Sequence, residues 1–212
     1  MRRTVVATLA LGSVLAWSSA WASPTTWNFA VELDGKSIGT HRFTLRDHGG
    51  HRELVSAARF RVTLLGIPVY RYSHDATEQW QGNCLTALRA HTDDNGQVSA
   101  VEAGPGANGA LQVQRGGTTA ALEGCVMSFA YWNPRILTQR RLLNAQTGAY
   151  EDVRLQPLPE ASVRVHGVEV PARGFRITAA GKPIDLWYSK DDEWLALDTV
   201  VDGGRRMRYR QP

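Results

Sequence analysis

The chain has 212 residues, with 24 Lys or Arg against 20 Asp or Glu, and its formal charge of +4 falls to +2 once Arg2 and Arg3 are set aside. That balance gives no concentrated basic face of the kind nucleic-acid binders carry, so nucleic acid is not expected as a partner. All basic side chains except Lys36, Lys182 and Lys190 are arginine, a bias read here as composition rather than as anion binding.

The first residues, MRRTVVATLALGSVLAWSSAWAS, combine a short basic start, an apolar run from Val5 to Leu15 and the small-x-small pattern Ala20-Trp21-Ala22. This predicts a cleaved secretory signal over residues 1–22, export to the periplasm and a mature chain of 23–212. The apolar run falls short of the ~20 residues a membrane span needs, and no later stretch is long and apolar enough. The remaining length, about 190 residues, suits a single β-rich domain with a substantial core. Cys84 and Cys125, an even count in an exported chain, predict a disulfide.

Taken in chain order, the elements are dominated by period two, the mark of half-buried strands. WNFAVEL alternates Trp27, Phe29, Val31 and Leu33 against polar neighbours, and DGKSIG then turns the chain into THRFTL, with His41, Phe43 and Leu45 on one side. HGG leads to LVSAARFRVTL, where Leu54, Ala58, Phe60 and Val62 oppose Arg59 and Arg61, and LGIP turns into YRYSHDATEQW. LTALRAHT follows, closed by the hairpin signal Asn95-Gly96. The Gly-rich stretch 104–117, interrupted by LQVQR, reads as an irregular hairpin. Asn133 as cap and Pro134 at the first position predict one short helix in YWNPRILTQRRLLN. The last 36 residues up to Arg210, FRITAAGKPIDLWYSKDDEWLALDTVVDGGRRMRYR, read as four strands separated by GKP, SKDDE and DGG. The expected fold is all-β, an antiparallel meander forming a curved sheet or open barrel, with one short helix.

The candidate site lies on YRYSHDATEQW. Alternation puts Tyr70, Tyr72, His74, Ala76, Glu78 and Trp80 on one face, and its other face is polar enough for solvent. His74 and Glu78 stand about 13 Å apart along the strand, too far to be a catalytic pair. Strand neighbours bring His41 and His91 within reach of the same concave side. A histidine there can be a structural hydrogen-bonding group, a ligand contact or one member of a metal set. Metal and cofactor sites are not expected, because no spacing supplies three or four ligands. Asp93, Asp94 and Asn95 read as a turn rather than a calcium loop. The sequence contains neither a G-x-S-x-G elbow nor a phosphate-binding glycine loop.

LDGKSIGTHRF, YSHDATEQW, TDDNG, YWNP, LWYSKDDEW and DGGRRMRY, in this order, resemble an exported bacterial family carrying a domain of unknown function, over nearly the whole mature chain. The resemblance implies no catalytic residues. The architecture is more remotely similar to LolA/LolB-like periplasmic half-barrels, a likeness that does not by itself imply function.

The sequence therefore predicts a periplasmic binding or carrier module for an apolar or amphipathic, lipid-like ligand. Phe29, Phe43, Phe60, Tyr70, Tyr72 and Trp80 would wall the cavity, with His41, His74 and Glu78 as polar contacts. Two alternatives stay open. One is a cavity-based hydrolase or isomerase using a histidine base; the other is a structural component of an envelope assembly, with an envelope protein as partner.

Overall fold

A computed structural model describes residues 23–212; the expected signal segment, 1–22, lies outside the described residues. Fourteen antiparallel strands form one sheet that does not close into a barrel. The first eight run outward in chain order: β1 (Thr25–Leu33), β2 (Lys36–Asp47), β3 (His51–Leu64), β4 (Ile67–Gln81), β5 (Cys84–Asp94), β6 (Gln97–Pro105), β7 (Leu111–Arg115) and β8 (Thr118–Leu122). The other six are β9 (Arg141–Leu143), β10 (Tyr150–Val165), β11 (Val168–Ala179), β12 (Lys182–Tyr188), β13 (Trp194–Val201) and β14 (Arg205–Arg210). Their order returns inward, so β14 pairs with β1 in the middle of the sheet, and β8 and β9 are its two edges. No helix among the described residues is long and apolar enough to cross a membrane.

Local chemistry accounts for the register. In β1, Trp27, Phe29, Val31 and Leu33 are buried and alternate with more exposed residues, as a sheet with one covered face requires. Two-residue turns at Asp34-Gly35, Leu65-Gly66, Asn95-Gly96, Gly116-Gly117, His166-Gly167 and Ala180-Gly181 all place both residues at positive φ. That is the turn geometry whose twist matches a pair of antiparallel strands. Gly39, at φ 150°, faces β3 so closely that a Cβ there would meet the Arg59 carbonyl oxygen at 1.9 Å. No other residue fits at that position.

Residues 123–140 connect the two edges by crossing the concave side. Val126 accepts a hydrogen bond from the Leu85 N–H (2.8 Å), and Tyr131 accepts one from the Tyr188 hydroxyl (2.7 Å). Trp132 packs edge-on against Trp80 at 5.6 Å, and Tyr131 packs against Trp194 at 5.5 Å. The segment thus touches β4 and β5 on one side and β12 and β13 on the other, so the two halves of the sheet curve toward each other around it. The expected disulfide forms: Cys84 at the start of β5 is bonded to Cys125, at the beginning of the crossing segment.

The helix expected near Pro134 is a single 3-10 turn, Pro134–Thr138. The Asn133 side chain does cap it, accepting from the Arg135 N–H at 3.1 Å. A longer helix loses to tertiary pairing. Leu142 and Leu143 are fully buried in β9, and the Leu143 N–H bonds the Met127 carbonyl at 2.9 Å. The long strand β10 has no counterpart in the sequence reading. Most of it is exposed on both faces and it carries Pro157 and Pro159, which erases period two and marks a strand off the sheet's centre.

Candidate functional site

The register of β2 to β5 builds one row across the concave face: His41, Ala58, His74 and Thr92 are successive partners. With strands ~4.8 Å apart, the two histidine backbones stand about 10 Å apart with only the Ala58 methyl between them. The next row is Phe43, Ser56, Ala76. Small side chains in the middle of both rows leave room that larger ones would fill. The result is a cavity of about 480 Å³, within the range of small-molecule sites.

Its lining is mostly apolar or aromatic. Phe43, Leu54, Tyr72, Phe129, Tyr131, Trp194, Leu197 and Tyr209 surround it, with Gln146, Lys182 and Thr199 among its polar lining residues. A second depression of about 470 Å³ lies elsewhere on the sheet, with Gln79, Arg89, Glu102, Gln112 and Gln114 among its lining residues. That one lacks aromatic walls, so the concave cavity is the candidate site.

His41 stacks on Phe43 with ring centroids 4.0 Å apart. Both of its ring nitrogens are buried without a hydrogen-bond partner. Burial, with His74 nearby adding to it, pushes its pKa down to about 3, so the ring is neutral at ordinary pH. His74 is oriented by Thr92, whose hydroxyl lies 2.8 Å from Nδ1; burial lowers its pKa as well, against a smaller opposing effect from Asp75. Glu78 accepts a hydrogen bond from the Trp80 indole at 3.0 Å. Burial raises its pKa to about 7, although the nearby Ser128 hydroxyl and the Trp80 indole work the other way. Burial likewise raises the phenol pKa values of Tyr72, Tyr131 and Tyr209. The Tyr72 hydroxyl is held by Gln146 at 3.0 Å. His41, His74 and these phenols are therefore neutral near neutral pH, while Glu78 is poised at about 7 and Glu151 and Lys182 also stand in the lining.

Of the residues singled out from sequence, His41, Phe43, Tyr72, His74 and Glu78 line this cavity. Phe29 lies behind it, packed on Trp194 at 4.5 Å. Phe60 backs Tyr72 in a parallel stack at 5.3 Å. Trp80 is buried under the crossing segment against Trp132. Tyr70 stands beyond the cavity, on an outlying part of β4, with Asp94 beside its hydroxyl. His91 is exposed, on the opposite face. Tyr131, Trp194 and Tyr209 were not anticipated. The alternation of Phe129 and Tyr131 in VMSFAYW was a usable signal, but nothing local says that this segment crosses the sheet. Among the described residues, no group of three or more His, Cys, Asp or Glu is placed to hold a metal ion.

Fold and site together define an open antiparallel sheet folded around a ligand-sized cavity. A family described as a domain of unknown function, DUF6134, matches residues 29–211, and the chain belongs to that family. A comparison with curated proteins finds no match.

Proposed function

We propose that the protein is an exported binding or carrier module for an amphipathic, lipid-like ligand. The ligand's apolar body occupies the concave cavity, and one polar group lies over Ala58 between His41 and His74. The observation that carries this reading is His41: two buried, unpartnered ring nitrogens in the wall of a mostly apolar cavity. Leaving a buried polar atom unbonded costs about 1–3 kcal/mol, and a ligand hydroxyl, amide or protonated acid would remove that cost. A neutral group fits better than an ion beside His41, because that ring is itself neutral and supplies no charge to offset an ion's desolvation.

The pattern of residues 1–22 supports export, and a disulfide fits an oxidising compartment such as the periplasm. The curved sheet with an apolar concave side is in keeping with a LolA/LolB-like carrier, as an architectural likeness only. The hydrolase or isomerase reading has less support. The side-chain partner of His74 is the neutral Thr92 hydroxyl rather than a carboxylate.

The test is the His41→Phe variant, which keeps the stack on Phe43 and deletes both nitrogens. With cis-parinaric acid as the fluorescent probe, the parent protein should bind and the variant should bind at least tenfold more weakly while melting no lower. Equal binding by the two proteins would remove His41 from the site. No binding by the parent would remove the carrier reading itself.

A further inference from the structure

The hairpin between β3 and β4 outruns its neighbours. β2 pairs with β3 only as far as Phe60, and β5 pairs with β4 only from Tyr72. Residues 61–71 therefore form a two-stranded ribbon with no strand on either side. From its last supported residue to the turn it reaches roughly 15 Å, about half the hydrocarbon thickness of a bilayer.

Its composition reverses what a free ribbon should carry. Leu64, Leu65, Ile67 and Val69 are 64, 96, 67 and 50% exposed, and every residue from Thr63 to Val69 faces solvent. Leu65 takes the first turn position at φ 51°, a left-handed conformation that favours Asn, Asp or Gly. It is thus strained and unburied at once, with no packing in the molecule to offset either. At the ribbon's base Arg61 and Arg71 are direct cross-strand partners, a like-charge pairing that is unfavourable. Neither forms an ion pair among the described residues. Asp93, a carboxylate in the same depression, is engaged by the Gly96 N–H at 2.7 Å.

We propose that this hairpin is a membrane-docking finger for an anionic lipid surface. Exposed aliphatic side chains all round the tip suit hydrocarbon better than a protein groove, which would leave one face of the ribbon wet. The two arginines lie where their guanidinium groups meet lipid phosphates as the tip enters. The finger rises beside Tyr72, and Tyr72 with Val201 and Lys182 also lines the cavity. Docking would therefore bring the cavity to the lipid surface. The finger's lipid binding does not depend on what the cavity holds.

The experiment is co-sedimentation of the purified protein with vesicles of phosphatidylethanolamine and phosphatidylglycerol, or of phosphatidylcholine alone. The parent should bind the anionic vesicles at least tenfold more strongly, and more weakly as salt is raised. Leu65→Asn combined with Ile67→Thr should lose at least tenfold in binding with an unchanged or higher Tm, since Asn suits the turn. Arg61→Gln with Arg71→Gln should lose mainly the salt-dependent part. Parent protein that stays in the supernatant, or a tip variant that sediments like the parent, overturns the proposal. So does concentration-dependent self-association abolished by the tip variant, which would make the hairpin an interface between copies.

Discussion

Glu78 shows what burial does to one side chain. Its folded pKa of about 7 stands above the ordinary 4.5, so the folded state holds the proton more tightly than the unfolded chain. The stability this confers is fully present below about pH 4.5 and is lost as pH rises through 7. A shift of this size corresponds to about 3 kcal/mol. Glu78→Gln, which still accepts from Trp80, should flatten the decline between pH 5 and 8 and be the more stable protein at pH 8. Urea unfolding at pH 5 and pH 8 measures it; parallel declines in both proteins would mean the carboxyl is solvated. The inward position of Glu78 was legible in YRYSHDATEQW, because alternation assigns faces without knowledge of the rest of the fold. Its protonation was not, since the Ser128 hydroxyl beside it and the crossing segment that dehydrates it come from another part of the chain.

At the level of elements, the crossing segment decides whether the cavity has a far wall. Phe129 and Tyr131 line it, and Cys125 ties the start of the segment to β5. Replacing both cysteines with serine should lower stability by about 2–4 kcal/mol, since the bridge closes a long loop. It should also raise the exposure of Trp132, seen as a red shift in tryptophan emission. An unchanged spectrum would show that packing alone holds the segment. The paired strands up to Asn95 were readable because hairpin signals and alternation agree there. β10 and the path of residues 123–140 were not. Exposed prolines hide the first, and the second has no local pattern: contacts with Leu85, Leu143 and Tyr188 dictate its course.

The whole molecule is one sheet joined at its centre by the first and last of its strands. Val31 pairs with Tyr209 and Leu33 with Met207, and Val31 is wholly buried. Removing β14 would leave β1 and β13 as facing, unpaired edges in the middle of the protein, the kind of edge that recruits other chains. A chain ending at Gly204 should therefore elute as oligomers or aggregates in size-exclusion chromatography, and a soluble monomer would contradict the central role of the seam. The same seam governs timing. Every other strand pair joins strands consecutive in the chain and can zip as soon as it is made, but β1 waits for a partner synthesised about 175 residues later, and contacts of such long range form slowly. Until β14 emerges the sheet is two separate wings, and their facing edges, β1 and β13, stay open to each other and to any other strand.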